Sequence, residues 1–153
     1  MEPLSYRPAN EGDLDFIIRL SMKLFSKYGS YDEIVPGWFL EPGVITVVVT
    51  GKTEPLGFAM LAIERRGEPP RGHLLAIGVF PEHQRRGMGS ALLGHMEDLA
   101  RKYGLSEVYL WTAKDNLQAL SFFQKGGFKI IGSEKDYYPR GQPALAMYKR
   151  IDP

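Results

Sequence analysis

The chain has 153 residues, 44% of them hydrophobic and 24% charged, with a formal net charge of +1 and no cysteine. That length sustains one domain, taken here as residues 1–153, with a real apolar core. The near-even charge speaks against a general nucleic-acid binder, which carries a strongly basic face. Without cysteine there is no disulfide, no thiolate metal site and no cysteine nucleophile, and no metal is expected. The opening MEPLSYRPANEGDLDF has neither the basic nor the apolar region of a signal peptide. No apolar run approaches the ~20 residues of a membrane helix. A soluble, cytoplasmic protein without a membrane partner is expected.

Residues 4–7 read as a short strand ended by Pro8. Asn10, three residues before Asp13, starts a helix. Leu14, Ile17, Ile18, Met22, Leu24 and Phe25 recur along it at helical spacing, as far as residues 28–29. A second short helix is predicted over 31–34, before Pro36. The stretch 28–39 is unusually aromatic for a connection, with Tyr28, Tyr31, Trp38 and Phe39. Residues 43–50 and 56–63 are two strands of a hairpin joined by turn chemistry at 51–55. A breaker-rich turn at 65–72 leads to a strand over 73–80, bounded by Pro81.

Met88, Leu92, Met96, Leu99 and Tyr103 then mark one face of a helix that starts at about Gly87, with Gly104 as its C-cap. Residues 107–112 form a strand. Asp115 or Asn116 caps a helix reaching about Lys125, ended by Gly126-Gly127. Strands over 128–133 and 144–151 close the chain. The order is βααβββαβαββ, a mixed sheet with helices on its faces in one α/β domain.

The stretch 72–103 organises the rest. A strand feeds the loop Gln84-Arg85-Arg86-Gly87-Met88-Gly89, and the loop opens a helix. Amides at a helix start are unpaired, and the helix dipole favours anions there. Two glycines allow close approach, and two arginines add positive charge, so the turn suits a pyrophosphate. The plainer alternative is a βα turn with exposed arginines. The spacing is neither the dinucleotide fingerprint nor a P-loop, because no Gly-Lys-Ser/Thr follows.

Gln84-x-x-Gly87-x-Gly89, after an apolar strand ending in Val79, resembles the acetyl-CoA signature of the GNAT-superfamily N-acetyltransferases. Asn116-x-x-Ala119-x-x-x-Phe123-x-x-x-Gly127-Phe128 resembles that family's later cofactor motif. Tyr6-Arg7-Pro8-Ala9 with Asp13-Leu14 resembles its first strand and helix. Residues 127–138, with Tyr137-Tyr138, are similar to the branch that acetylates protein N-termini, which includes the ribosomal-protein alanine acetyltransferases. The resemblance implies an α/β (α+β) fold. It comprises a single mixed, mostly antiparallel sheet of about seven strands, flanked by about four helices and splayed at its central parallel strands.

It further implies acetyl-CoA as cosubstrate and direct transfer to a primary amine in a ternary complex. Gln84, Arg85, Arg86, Gly87, Met88, Gly89 and Ser90 would hold the pyrophosphate. Ile77, Val79, Asn116 and Phe123 would line the pantetheine arm, with a simple helix cap as the alternative for Asn116. The Val79 amide would face the thioester oxygen, and losing one such donor costs on the order of 3 kcal/mol.

His73 is the candidate base, with an ordinary pKa of about 6.5. A packed or exposed strand-end histidine is the equal alternative, and Glu64 is the reserve base, through water. His83 and His95 are weaker candidates. Phe123 stands where the family has its tyrosine acid, and Trp111 where the branch often has Glu or His. Tyr137 and Tyr138 would grip the acceptor, with Tyr138 as a proton relay, or else pack over the sheet edge. Tyr31 and its aromatic neighbours would form the opposite wall of the acceptor slot. Asp32, Glu33 and Glu41 place acid near it, which would favour a cationic acceptor.

A protein N-terminus leads as acceptor, with a polyamine or another small amine as the alternative. The rivals are an acetyl-CoA-binding sensor without turnover and an RNA- or ribosome-associated protein using Arg85 and Arg86. No nucleic-acid partner is expected, and a homodimer is left open.

Overall fold

A computed structural model describes residues 3–66, 69–84 and 87–152. Its strands are β1 (Ser5–Pro8), β2 (Val44–Thr50), β3 (Pro55–Glu64), β4 (Arg71–Val79), β5 (Glu107–Ala113), β6 (Lys129–Glu134) and β7 (Ala144–Arg150). Its helices are α1 (Leu14–Phe25), α2 (Tyr31–Leu40), α3 (Met88–Lys102) and α4 (Leu117–Lys125). The strands form one seven-stranded sheet in the order β1-β2-β3-β4-β5-β7-β6. Every neighbouring pair is antiparallel except β4 and β5. The sheet is therefore mixed and mostly antiparallel, as expected.

The parallel pair is short. β4 and β5 are in register only from Arg71↔Glu107 to His73↔Tyr109, although both strands continue well past that point. Beyond His73 they part, and the expected splay lies there.

The two faces bury different helices. Leu92, Leu93 and Met96 of α3 and Phe123 of α4 pack with Leu61, Leu74, Leu110 and Met147. Phe16, Ile17 and Leu20 of α1 and Val35 of α2 pack with Val48, Phe58 and Met60 on the other face. Each fully buried Leu, Ile or Phe side chain in such positions contributes about 1.5–3 kcal/mol, so both helical layers are held by the sheet. No helix among the described residues is long and apolar enough to cross a membrane.

Two local expectations fail for identifiable reasons. The second helix runs through Pro36 to Leu40 instead of ending at 34. Proline inside a helix removes one backbone bond, but Val35 is fully buried and Trp38 and Phe39 pack on the same cluster. Tertiary burial outweighs local propensity here. β1 does end at Pro8, which is its last residue and lies opposite Val47. β1 is an edge strand, where proline is tolerated. The first helix is preceded by a 3-10 turn that carries the Asn10 capping box, with Asp13 accepting from the Asn10 amide. It stops at Phe25, before the expected residues 28–29.

Candidate active site

The site begins in the hydrogen bonding of β4. The Phe80 amide donates to the Leu56 carbonyl of β3. Antiparallel bonding alternates every second residue, and the register pairs Gly57 with Val79 and Ala59 with Ile77. The backbone groups of Ile77 and Val79 therefore turn away from β3, toward the side where β5 has parted. A bulge opposite Met60 and Leu61 adds Leu75 as an extra residue. Such a bulge kinks a strand and increases its twist, which helps to open the gap. The Val79 carbonyl is already engaged, since Gln84 Nε2 donates to it at 2.9 Å. The Ile77 and Val79 amides are the donors that face the splay.

The loop after β4 leads to the start of α3. Gly87 caps the helix in the left-handed region at φ 77°, a conformation that glycine adopts without steric cost. The first helical bond runs from the Ala91 amide to the Gly87 carbonyl, so the amides of Met88, Gly89 and Ser90 have no helical partner. A Cβ on Gly89 would meet the Phe122 ring at 3.3 Å. Glycine at that position lets α3 approach α4. The Met88 side chain is buried in the core and does not line the cleft, so only its backbone is available to a ligand. Arg85 and Arg86 lie outside the described residues.

A cleft of about 640 Å³ joins these parts. Ile77, Val79, Gln84, Gly87, Gly89 and Ser90 line one end. Asn116, Ala119 and Phe123 of the α4 side line it as well. Asn116 is both wall and cap, because its Oδ1 accepts from the Ala119 amide at 3.2 Å. Phe123 is buried, and edge-on to Phe122 and Phe128. It is a core residue with one face on the cleft.

The other end is aromatic. The Tyr138 ring lies 5.1 Å from Tyr28, 6.5 Å from Tyr31 and 5.0 Å from Tyr137. Tyr31 lies 6.0 Å from Trp38, and Tyr137 stacks on Trp111 at 4.7 Å. Burial pushes the Tyr31 phenol up to about 12, with Tyr137 adding to it. Burial, with the neighbouring phenols, raises Tyr138 further. These phenols stay protonated near neutral pH and can donate a hydrogen bond, but none can serve as the resting base.

This wall is tied together across the chain. Arg140 Nε donates to the Ser26 carbonyl, and Gln142 Nε2 to the Lys27 carbonyl. Tyr28 Oη and Lys27 Nζ both donate to Asp115, at 3.2 and 3.1 Å. The α1–α2, β5–α4 and β6–β7 loops thus meet over the cleft.

The chain matches the Acetyltransferase (GNAT) family over residues 14–128. It belongs to that family. This GNAT member is 29% identical to N-alpha-acetyltransferase 50 of Danio rerio over 108 residues, 70% of this chain and 64% of that relative. It therefore spans less than two thirds of that protein's length. Among solved structures it superposes on the ribosomal-protein-S18-alanine N-acetyltransferase of Escherichia coli with a TM-score of 0.85, at 21% identity over 99% of this chain and 96% of that one. It also superposes on Arabidopsis thaliana NAA60 in complex with acetyl-CoA, with a TM-score of 0.86, at 16% identity over 97% of this chain and 99% of the other. At those identities the likeness is one of fold.

The structure brings together on one cleft His73, Ile77, Val79, Gln84, Gly87, Gly89, Ser90, Asn116, Phe123, Tyr31, Tyr137 and Tyr138, every expected site residue among the described ones except Met88. Asp32, Glu33 and Glu41 are not on its wall, which holds no carboxylate among the described residues. The acid near the slot foreseen from sequence does not reach it. Trp111, at the expected place of an acid or base, supports the Tyr137 ring instead. Sequence reasoning missed the clamp of Gln84 on Val79 and the clasp on Asp115. A glutamine before the glycines hints at the first. The second joins residues 88 apart in sequence, and no local signal marks it.

His73 stands at the seam where β4 and β5 part. Its ring stacks on Tyr109 at 4.4 Å, and its side chain is only 20% exposed. Burial lowers its pKa below the ordinary 6.5. Glu64 opposes that shift, and Arg71 adds to it. The imidazole is therefore neutral at pH 7 and able to accept a proton.

Proposed function

We propose that this chain is an N-acetyltransferase that moves an acetyl group from acetyl-CoA to the α-amine of a polypeptide with an apolar first side chain. The observation that carries the reading is the cleft itself, with open β4 amides at one end and, at the other, an aromatic wall that no carboxylate lines among the described residues. A polyamine would find no carboxylate counter-charge among the described lining residues. A peptide start with an apolar side chain would bury it against Tyr31, Trp38 and Tyr138 at about 25 cal/mol per Å².

Residues 1–153 act as one unit in this reading, in the cytoplasm. The amides of Met88, Gly89 and Ser90, with Arg85 and Arg86 from the loop, hold the pyrophosphate. Ile77 and Val79 present their backbone to the pantetheine arm, which enters the splay beside Asn116 and Phe123. Acetyl-CoA supplies the acetyl group and a leaving thiolate, itself tolerable because a thiol has a pKa of about 8.5. His73 takes the proton of the acceptor amine. The Val79 amide donates to the oxygen on which negative charge develops, a fixed dipole of the kind that lowers acyl-transfer barriers. Tyr137 and Tyr138 hold the acceptor, and Tyr138 Oη donates a hydrogen bond within the slot.

The test is CoA release on a panel of peptides and small amines. Peptides beginning with Met, Leu or Phe should turn over at least tenfold faster than spermidine. Turnover of polyamines alone would sink the acceptor assignment. Acetyl-CoA binding without turnover on the whole panel would favour a sensor.

A further inference from the structure

Glu64 ends β3 opposite Arg71, and His73 sits diagonally from it, two residues along β4. Tyr109 of β5 lies beside His73. Three side chains converge on the Glu64 carboxylate. Tyr109 Oη donates to Oε2 at 2.7 Å, and Arg71 Nε donates to Oε1 at 3.3 Å. His73 Nδ1 lies 3.8 Å from Oε2, within ion-pair reach. The Arg71 guanidinium also covers the Tyr109 ring at 4.3 Å. Burial, then the bond to Glu64, raises the Tyr109 phenol far above its ordinary value, so it remains a donor. The carboxylate is thus fixed from two sides and keeps lone pairs toward the imidazole. Glu64 is 34% exposed at its side chain, which connects the cluster to solvent.

We propose that Glu64 is the positioning residue for His73. Its carboxylate, pinned by Tyr109 and Arg71, keeps the imidazole proton on Nδ1 and leaves the Nε2 lone pair facing the cleft. This rests on His73 being the base that takes the acceptor's proton. The acceptor's N–H bond breaks, and its proton forms a bond to Nε2. The imidazolium then carries one positive charge, which Glu64 offsets, and the contact shortens to a hydrogen bond. Nε2 then gives that proton to the leaving thiolate or to water, and the neutral Nδ1–H ring is restored. The second nitrogen of a histidine sets the behaviour of the first in this way. Among the described residues, the charged and titratable groups around the ring are Glu64 from β3, Arg71 from β4 and Tyr109 from β5, with Tyr137 of the β6–β7 loop acting on Tyr109.

Nitrogen-15 NMR of the His73 ring in the full chain tests the contact without requiring turnover. The wild type should show the Nδ1–H tautomer. Glu64→Gln keeps the shape and removes the charge. Its His73 midpoint should fall by on the order of one pH unit, the weak end for charges about 4 Å apart because Glu64 reaches solvent. Glu64→Asp should recover part of that shift. In the same Gln variant, kcat on an apolar-start peptide should fall about tenfold with KM for acetyl-CoA unchanged.

An Nε2–H tautomer in the wild type, or an unmoved midpoint in Glu64→Gln, would overturn the proposal. A moved midpoint with unchanged kcat would overturn the catalytic role of the pair while the contact stood. Full turnover by His73→Ala would remove the base reading separately. Should Glu64→Gln fail to fold, Tyr109→Phe frees the carboxylate and should lower the midpoint in the same direction. An unmoved midpoint there would count against the proposal equally.

Discussion

Gly87→Ala isolates the geometry of the turn proposed to hold the pyrophosphate. A Cβ at Gly87 meets nothing within 4 Å, yet its φ is 77°. The substitution adds no collision and imposes only the left-handed penalty, about 1–2 kcal/mol for a residue with a Cβ. For a chain of this size that lowers Tm by roughly 3–6 °C. Gly94→Ala on the same helix is the matched control. It too meets nothing within 4 Å and is helical, so alanine there should stabilise by about 0.5–1 kcal/mol. Relaxation at Gly87 also re-aims the free amides of Met88, Gly89 and Ser90. A hydrogen bond to a charged group contributes about 1.5–3 kcal/mol, so losing one weakens CoA binding about tenfold or more. Thermal melts and calorimetric titration with CoA read both effects. A Gly87→Ala variant that melts and binds like the wild type would refute the role given to this turn.

Gln84→Leu removes the donor to the Val79 carbonyl. It should cost about 1–3 kcal/mol of stability and reduce kcat more than peptide KM, as melts and steady-state kinetics would show. Asp13→Asn breaks the bidentate pair with Arg7, at 2.7 and 2.8 Å, and should cost about 2 kcal/mol in denaturant unfolding. Arg7 holds the Asp13 carboxyl below its usual 3.8. That stability is therefore present above pH 3.8 and lost as pH falls through the lower folded value, and an acid-unfolding curve that does not differ between the two proteins would contradict it. His73→Ala should reduce kcat with acetyl-CoA affinity unchanged, and in the wild type the acid limb of kcat should lie below pH 6.5 because burial lowers the His73 pKa. Phe123→Tyr should fold, because the ring borders the cleft, whereas Phe123→Ala should cost about 3–5 kcal/mol.

The mixed sheet, the order of elements along the chain and the βα turn at Gly87 were legible because each has a local signal. β-branched runs mark β2 and β3, helical spacing marks α3, and the Gln84-x-x-Gly87-x-Gly89 motif marks the turn. Pro36 misled because burial of Val35 lies outside local propensity. The acidic residues at 32, 33 and 41 misled because sequence gives their proximity to the slot but not their direction from it. The Glu64–Tyr109–His73 cluster draws on three strands. It becomes visible only when the register places Glu64 by Arg71 and His73 by Tyr109.

Everything proposed for the site converges on transfer to an α-amine in the cleft between β4 and β5. Mass spectrometry of a Met-Leu-starting peptide that also contains an internal lysine, incubated with the protein and acetyl-CoA, tests it most directly. One acetyl group should appear, on the α-nitrogen, and it should be lost in the Gly87→Ala and His73→Ala variants in proportion to CoA binding and kcat respectively. Acetylation of the lysine side chain with the α-amine untouched would contradict it.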